Sequence, residues 1–413
     1  MAEIKKILIA NRGEIVQRAV RTIREMGKKS VAVYSAGDKN ASYLKHADEA
    51  VCIGDVKSVD SYLNIPAIIT AAEMTGCDAI FPGYGFLSEN QDFVEICRLH
   101  NIKFIGPSVE VMEKMADKSK AKEEMIRAGV PVVPGSDGAI HSVEEGRKVA
   151  AEIGYPIMAK ASAGGGGRGM RLINDESEFD QLFMAASSEA LAAFGDGTMY
   201  LERFINKPRH IEVQVIGDSH GNAIHIGERD CSLQRRHQKV IEESPAILLN
   251  DETRSHLHEV AVKATKYLEY EGAGTFEFLA DDKQNIYFME MNTRLQVEHP
   301  VSEMVSGIDI VEWMIKVAEG EELPSQDKIR FRGHAIECRI TAEDPNTFLP
   351  CPGKVKQWFV PGGRNVRVDS HVYAGYVVPP YYDSMIGKLI VWGRDRNKAI
   401  NIMKRALTEF EVE

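Results

Sequence analysis

Apolar segments alternate with amphipathic helical segments along the first hundred residues. The apolar run at 4–10 predicts a strand, and residues 14–26 follow with apolar side chains near helical spacing until Gly27 ends the helix. The same alternation then predicts a strand at 30–34, a helix at 65–75, a strand at 79–81, a helix at 93–99 and a strand at 102–105. This alternation is typical of an open parallel sheet covered on both faces, so we predict an N-terminal α/β domain over residues 1–115.

The middle of the chain predicts a small unit, and a strand-rich region follows it. Residues 130–135 (Val-Pro-Val-Val-Pro-Gly) read as a linker. Beyond them the pattern predicts a helix at 143–153, strands at 157–160 and 170–173, and another helical stretch that precedes residues 199–204. From 210 to about 313 strands and turns give way to helix, and from 332 short strands lead to a final helix at 398–410.

Composition narrows the class of protein and of partner. The chain has 413 residues, of which 44% are hydrophobic and 27% charged, as in soluble globular proteins of several domains. A net charge of −11 excludes a broad basic surface, so we expect no nucleic-acid partner. No apolar run reaches the roughly 18 residues of a membrane span, and the six cysteines are scattered without a Cys-x-x-Cys pair. We therefore expect no membrane association, no zinc site and a cytoplasmic location.

A glycine-rich loop at 163–169 (Ala-Gly-Gly-Gly-Gly-Arg-Gly) is the first candidate for chemistry. Consecutive glycines cost backbone entropy on folding, but their bare N–H groups can close over a phosphate. The loop lacks the Gly-Lys-Ser/Thr ending of a Walker A motif and joins two predicted strands, with Lys160 at its entrance. This arrangement favours a hinged flap over a nucleotide; a flexible hairpin tip is the alternative.

Two predicted strands place oxygen ligands close together. Glu277 lies between aromatic residues at 275–279, and Glu290 and Asn292 share one face of the strand at 286–292. A turn at 281–285 joins the strands as a hairpin. Carboxylates in such apolar strands are costly unless they are paired or bind a cation, and hard oxygens suit Mg²⁺. We predict a metal site here; solvent-facing positions on an amphipathic strand are the alternative.

Two segments with charged side chains lie before and after this hairpin in the sequence. Arg294, Gln296 and Glu298 follow Asn292 within a few residues, and residues 234–239 (Gln-Arg-Arg-His-Gln-Lys) are compactly basic in an acidic protein. Arginine grips small oxyanions bidentately and a carboxylate can act as general base. We predict a phosphate or bicarbonate pocket, with a solvated charged face as the alternative. Arg339 alternates within a predicted strand and, on this pattern alone, stays unassigned.

Five long motifs carry a resemblance to a known family. They are Ile-Ala-Asn-Arg-Gly-Glu-Ile at 9–15, Pro-Gly-Tyr-Gly-Phe-Leu-Ser-Glu-Asn at 82–90, Cys-Ser-Leu-Gln-Arg-Arg-His-Gln-Lys at 231–239, Glu-Met-Asn-Thr-Arg-Leu-Gln-Val-Glu-His-Pro at 290–300 and Pro-Pro-Tyr-Tyr-Asp-Ser-Met at 379–385. In this order they closely resemble biotin carboxylase, the ATP-grasp component of acetyl-CoA carboxylase and related enzymes. The resemblance implies a multi-subdomain α/β and α+β protein with an ATP-grasp fold. The implied protein comprises the N-terminal parallel α/β domain (1–115), an ATP-grasp region (116–330) with a small lid domain at about 131–204, and a strand-rich C-terminal subdomain (331–413).

The resemblance also implies the reaction and its residues. ATP, with Mg²⁺ or Mn²⁺, phosphorylates bicarbonate to carboxyphosphate, which carboxylates biotin on a carrier protein. The implied nucleotide contacts are Lys118, Lys160, Gly166, Gly167, Met170, Glu202, Arg203, Phe204, Ile205, His210, Gln234, His237 and Leu279. The implied metal ligands are Glu277, Glu290 and Asn292. Bicarbonate contacts are Lys239, Arg294, Gln296 and Val297, Glu298 takes its proton, Arg339 stabilises the biotin enolate, and Tyr84 lies near the biotin ring.

The resemblance further implies separate partner proteins. No Met-Lys-Met motif is present, so biotin is expected on a biotin carboxyl carrier protein, with carboxyltransferase subunits in other chains. A homodimer is implied, with Arg18 and Arg21 at its interface. The sequence ends at Glu413, short of the family's usual length, which suggests a truncated C-terminal subdomain.

Three alternatives stay open at this stage. One is the same subunit in a pyruvate carboxylase or another acyl-CoA carboxylase, because the acceptor's identity lies in other chains. Another is a different ATP-grasp enzyme that joins a carboxylate to an amine; it would share the lysines and metal carboxylates without requiring Arg294, Glu298 and Arg339 together. The third is an inactive nucleotide-binding subunit, against which the intact Glu277, Glu290, Arg294 and Glu298 argue.

Overall fold

The computed structural model describes residues 3–161, 169–236 and 238–413, without the side chains of Ser119 and Phe194. The helices are α1 (Glu14–Glu25), α2 (Ile65–Thr75), α3 (Gln91–Leu99), α4 (Val109–Ala116), α5 (Lys118–Ala128), α6 (Val143–Ile153), α7 (Phe179–Phe194), α8 (Asp251–Tyr267), α9 (His299–Ser306), α10 (Ile310–Glu319) and α11 (Arg396–Glu409). The first ten strands are β1 (Lys6–Ile9), β2 (Lys29–Ser35), β3 (Glu49–Gly54), β4 (Ala79–Phe81), β5 (Lys103–Phe104), β6 (Ile157–Ala161), β7 (Met170–Ile173), β8 (Met199–Arg203), β9 (Arg209–Gly217) and β10 (Ala223–Arg235). The others are β11 (Gln238–Ser244), β12 (Gly272–Ala280), β13 (Ile286–Asn292), β14 (His334–Thr341), β15 (Gly353–Lys354), β16 (Trp358–Phe359), β17 (Val366–Ser370), β18 (Val377–Val378), β19 (Met385–Gly393) and β20 (Glu411–Val412).

The N-terminal sheet is parallel and has the order β3, β2, β1, β4, β5. Alternate residues of β1 enter different apolar clusters, because successive side chains of a strand point to opposite faces. Ile7 and Ile9 pack in one cluster with Ile15 of α1, while Leu8 packs in the other with Phe93 of α3. The predicted parallel α/β arrangement, covered on both faces, is therefore confirmed.

A second sheet of eight strands has the order β13, β12, β9, β10, β11, β14, β19, β17. Its pairs from β9 to β17 are antiparallel. Strand β14 is central to the site described below, because it places Glu337 opposite Glu242 of β11 and Arg339 opposite Lys388 of β19. Strands that are distant in sequence thus bring charged residues to one face of the sheet.

Contacts within the chain define two compact units. The larger contains residues 1–130, 209–278 and 290–413, and the smaller contains 131–208 and 279–289. In the smaller unit, β7, β6 and β8 form an antiparallel sheet, and Phe179 and Phe183 of α7 pack with Ala159 and Leu201 in its core. The division of the sequence into three domains stays a prediction. Within the described residues, every helix is too short or too polar to cross a membrane.

Candidate active site

The ammonium group of Lys239 lies at the centre of a cluster of carboxylates. Its Nζ donates to Glu277 Oε1 at 2.9 Å, to Glu298 Oε1 at 2.8 Å and also to Glu212. These acids come from β12, from the segment before α9 and from β9, while Lys239 lies on β11 opposite Gln234. Burial lowers the pKa of Lys239, but the nearby carboxylates, Glu298 foremost, outweigh it and hold the pKa above its ordinary value. Lys239 is therefore a permanent cation.

Glu298 is fully buried between two cations. Its Oε1 accepts from Lys239, and its Oε2 accepts from Arg339 Nη2 at 3.0 Å. Burial raises the pKa of Glu298, but the charge of Lys239 and then of Arg339 lowers it further, so the net shift is downward. The carboxylate is ionised at neutral pH and is accompanied by two groups that could hold an incoming anion.

Arg294 and its neighbours join this cluster through the amide of Asn292. Arg294 Nη2 donates to Asn292 Oδ1 at 3.0 Å, and Asn292 Nδ2 donates to Glu277 Oε1 at 2.8 Å. Gln296 Nε2 reaches the same Glu277 oxygen at 3.3 Å. Arg294 Nε also donates to Glu89 at 2.8 Å. The structure therefore brings the predicted residues Lys239, Arg294, Gln296 and Glu298 into one connected set.

The carbonyl of Val297 is held by a buried lysine that the sequence did not single out. Lys388 Nζ donates to Val297 O at 2.6 Å and lies 3.0 Å from Glu14 Oε1. Glu14 also accepts a hydrogen bond from the hydroxyl of Tyr84. Tyr84 lines a cavity of about 410 Å³ together with Asn11, Arg12, Gly13, Glu14, Ser58, Gly85, Phe86, Tyr381, Tyr382, Asp383 and Met385. Two predicted substrate contacts, Val297 and Tyr84, are thus linked through Lys388 and Glu14.

Glu212 and Arg229 are site residues that the sequence reasoning missed. Both are fully buried, and Arg229 Nη2 donates to Glu212 Oε2 at 3.1 Å and to Thr275 Oγ1 at 3.1 Å. His210 Nε2 lies 3.0 Å from both Glu212 Oε1 and Glu277 Oε2. A signal was present, since Glu212 and Gln214 interrupt the apolar run 211–216 at the strand period. Their partner could not be identified without the strand register.

The predicted metal ligands fit a hard divalent cation. Glu277, Glu290 and Asn292 offer only oxygen atoms, the ligands that Mg²⁺ and Mn²⁺ prefer. Asn292 contacts Glu277 directly, as described above, and Glu290 Oε2 lies 3.4 Å from Lys118 Nζ. Lys118 is thus beside a proposed metal ligand, as a contact to a metal-bound phosphate would be. Among the described residues, His210, Glu212 and Glu277 also have potential ligand atoms within 4.8 Å of one another.

The predicted nucleotide contacts fall partly in each compact unit. In the smaller unit, Lys160 pairs with Glu202 across neighbouring strands β6 and β8, and Met170 lies half-exposed on β7. Arg203 Nη2 donates to Ile153 O at 2.7 Å, so its guanidinium has a structural partner. Phe204, Ile205 and Leu279 also belong to this unit, while Lys118, His210 and Gln234 belong to the larger one. Gly166, Gly167 and His237 lie outside the described residues.

Three family models match the chain one after another. They describe the N-terminal domain of biotin carboxylase (residues 3–112), the ATP-binding domain of the carbamoyl-phosphate synthase L chain (117–326) and the C-terminal domain of biotin carboxylase (337–413). Biotin carboxylase of Nostoc sp. is 58% identical over 98% of this chain and 92% of its own length. Chloroplastic biotin carboxylase of Arabidopsis thaliana is 56% identical over 98% of this chain and 76% of its own.

Solved structures agree with this assignment over the whole chain. Campylobacter jejuni biotin carboxylase in its beta-gamma-ATP complex has a TM-score of 0.91 at 68% identity, covering 100% of this chain and 92% of that one. The biotin carboxylase domain of a thermophilic 2-oxoglutarate carboxylase bound to bicarbonate has a TM-score of 0.95 at 49% identity, covering 100% and 91%. The fold and the cluster of buried carboxylates and cations define an enzyme of the ATP-grasp class. The chain belongs to the biotin carboxylase family. The predicted family, fold and ligase class are thereby confirmed.

Proposed function

We propose that this chain catalyses the ATP- and bicarbonate-dependent carboxylation of biotin, with the residues of the Lys239 cluster as its reacting site. The observation that carries the proposal is the buried, ionised Glu298 between Lys239 and Arg339. A general base must be unprotonated and within reach of its substrate, and the two cations beside it would attract bicarbonate to that position.

The first step transfers a phosphoryl group to bicarbonate. Glu298 accepts the bicarbonate proton, and an oxygen of the resulting carbonate attacks the γ-phosphorus of ATP. The bond from that phosphorus to the β-phosphate oxygen breaks, giving ADP and carboxyphosphate. Lys239 and Arg294 would hold the anion by charge, and Gln296 and Val297 would orient it. Positioning and charge neutralisation account for most of the catalysis in such transfers.

The second step transfers carbon dioxide to biotin. Carboxyphosphate releases CO₂ and phosphate, and the phosphate accepts the proton of the biotin ureido nitrogen, which then attacks CO₂. Arg339 would stabilise the negative charge on the ureido oxygen, as an oxyanion-binding group does. Tyr84 borders the cavity described above, where the biotin ring would lie.

The nucleotide and metal assignments rest on the chemistry of the side chains and on resemblance. Glu277, Glu290 and Asn292 would hold Mg²⁺ or Mn²⁺, which neutralises phosphate charge when bound. By resemblance, Lys118 and Lys160 would contact the phosphates, and Gly166 and Gly167 are assigned to the nucleotide as well. Met170, Glu202, Arg203, Phe204, Ile205, His210, Gln234, His237 and Leu279 would line the nucleotide site.

We propose that the partners are those of the family. A biotin carboxyl carrier protein would bring the substrate, and separate carboxyltransferase subunits would use the product. Cytoplasmic location and a homodimer are also proposed; a dimer of the biotin carboxylase domain is named in the Hydrogenobacter thermophilus structure of 2-oxoglutarate carboxylase. Arg18 is a poorer interface residue than the sequence suggested, because its guanidinium binds Glu303 and Asp309 within the chain, whereas Arg21 is half-exposed.

A steady-state assay tests the proposed reaction. ADP release is measured with and without bicarbonate, and with and without free biotin, while labelled bicarbonate traces carboxybiotin. We expect ATP cleavage that requires bicarbonate and label transferred to biotin. A carboxylate–amine ligase would instead cleave ATP without bicarbonate when given its own acceptors, and an inactive nucleotide-binding subunit would bind ATP without turnover. Either result would overturn the proposal.

A further inference from the structure

Two buried carboxyl groups, those of Glu242 and Glu337, lie next to Arg339. Glu242 of β11 and Glu337 of β14 are opposite one another in the antiparallel register, and neither is exposed to solvent. Side chains at such positions share a face, with Cβ atoms about 5 Å apart. Glu242 Oε1 accepts from Arg339 at 2.7 Å. Among the described residues, no donor reaches Glu242 Oε2 or either oxygen of Glu337.

The surrounding charges do not compensate two ionised acids here. Arg339 is shared between Glu242 and Glu298, and Glu212 adds another negative charge near Glu242. Glu337 faces Lys388 as well as Glu242, Arg339 and Glu298, but the Lys388 ammonium already binds Val297 O and Glu14. A buried carboxylate without a donor is strongly disfavoured, and neighbouring acids relieve this by keeping a proton.

We propose that Glu242 and Glu337 share one proton and together position Arg339. Glu337 is the protonated partner and donates its O–H to the free oxygen of Glu242. In the active state Glu242 is the ionised partner, and it holds the guanidinium of Arg339 in place beside Glu298. This inference deepens the proposed function and rests on the roles given there to Arg339 and Glu298.

The titration of both acids is consistent with this geometry. Burial, opposed by Arg339 and reinforced by Glu298, raises the pKa of Glu242 to about 7. Burial also raises the pKa of Glu337 well above its ordinary value, although Lys388 acts in the opposite direction. As the pH falls through about 7, Glu242 gains a proton and its hold on Arg339 weakens. Arg339 then keeps one carboxylate partner, the general base itself.

Substitutions separate the two partners of the pair. In Glu242→Gln the charge that holds Arg339 is lost, so kcat for biotin carboxylation should fall about tenfold or more, as for other groups that orient an active-site residue, with KM for ATP unchanged. In the wild type, kcat should decline at low pH partly because Glu242 becomes protonated. That part of the decline should be absent in Glu242→Gln. In Glu337→Gln the amide donates an N–H where the acid donates an O–H, so most of kcat should remain and the acid limb should move to lower pH. Glu337→Leu supplies no donor and should lose activity.

Glu243 offers a matched control on the same strand. It binds His334 and Arg396 rather than Arg339, at 2.7 and 2.6 Å. Glu243→Gln therefore removes an equivalent charge from the neighbouring position and should leave the pH profile of carboxylation unchanged. If Glu243→Gln moved the acid limb as Glu242→Gln does, or if Glu337→Gln were as damaging as Glu337→Leu, the positioning role would be wrong.

Infrared spectroscopy tests the shared proton without any turnover. Above about pH 8, where Glu242 is ionised, the wild type should show the carbonyl band of buried protonated carboxyl groups. Glu14 can also contribute to that band, because burial raises its pKa. The part of the band due to Glu337 should therefore appear as a loss of intensity in the difference spectrum between the wild type and Glu337→Gln, and Glu243→Gln should show no such loss. An undiminished band in Glu337→Gln would overturn the shared proton even if all variants were inactive. Absence of bicarbonate-dependent ATP cleavage in the wild type would instead refute the proposed function, and the infrared result would still stand.

Discussion

Replacing Glu298 by glutamine removes the proposed general base and changes little else. The two side chains have nearly the same shape, and the amide can still accept from Lys239 or Arg339. Neither cation is left without a carboxylate partner, because Lys239 keeps Glu212 and Glu277 while Arg339 keeps Glu242. The substitution therefore tests one proton transfer in an otherwise intact cluster.

The expected loss of activity is large and the loss of stability is moderate. General-base catalysis contributes about 10²–10⁴-fold, so kcat for bicarbonate-dependent ATP cleavage should fall by that factor. Removing one buried partner without stranding a charge should lower the free energy of unfolding by about 1–3 kcal/mol. Because the pKa of Glu298 is depressed in the folded state, its stabilisation is present above the unfolded pKa of about 4.3 and is lost as the pH falls through the folded pKa. The stability gap should be widest at neutral pH.

Glu303 provides the control for loss of a buried charge as such. It is buried, binds Arg18 at 2.8 Å and Arg367 at 2.7 Å, and has a depressed pKa as well: burial raises it, but Arg18 and Arg367 lower it further. Glu303→Gln should also destabilise the protein, yet kcat should stay within about twofold, since no proton transfer is removed. Both variants are compared by urea unfolding and by ADP release at a temperature where both are folded. A Glu298→Gln enzyme that kept a third or more of wild-type kcat would refute the assignment of the base.

Three further changes probe the charged core and the buried side chains. Lys239→Met removes the cation that three buried carboxylates share, although each of them keeps another donor. Urea unfolding should therefore show a loss of about 3–5 kcal/mol in the free energy of unfolding, partly restored in Lys239→Arg. No loss would contradict the central role of this ammonium. His225 stacks on His258 with ring centroids 4.0 Å apart, and burial lowers its pKa to about 3; because the unfolded chain binds its proton more tightly, stability should decline as pH falls from about 6.5 towards 3, less so in His225→Phe, and an NMR titration of the assigned His225 ring near 6.5 would disprove this. Cys52 and Cys351 are exposed and the four other thiols are buried, so a thiol reagent should modify two cysteines in the native protein and six in urea.

Capping residues, turns and the alternation of side chains allowed some helices and strands to be predicted from nearby sequence alone. The helix at 65–75 was predicted to the residue, because Asn64 accepts from the N–H of Ala67 at its start and Gly76 adopts the left-handed conformation at its end. The strand at 286–292 was also predicted to the residue, from its alternation and the adjoining turn. Strand β3 was missed, although residues 50–53 form a short apolar run. Its side chains are mostly exposed on the edge of the sheet, so it lacks the alternation of apolar and polar residues that marks a half-buried strand.

The partners of the charged residues could not be predicted in the same way. Arg339 stayed unassigned on its own pattern, yet it binds Glu242 and Glu298, which precede it by 97 and 41 positions. Such pairs depend on the register between strands, and a shift of one residue would turn every side chain to the other face. The motif at 290–300 indicated which residues carry chemistry, while the order β11, β14, β19 determines which of them meet.

The cations proposed to bind bicarbonate are each held by carboxylates of the chain itself. Lys239 has three such partners, Arg339 has Glu242 and Glu298, and Arg294 has Glu89. A long cationic side chain would otherwise lose considerable rotamer freedom when it met its substrate. Here that ordering is already present, and the cations are aimed before the anion arrives, which is what electrostatic preorganisation requires. It follows that the carboxylates without a chemical role, Glu212 above all, should affect kcat more than the binding of ATP, because they orient the groups that meet the developing charge.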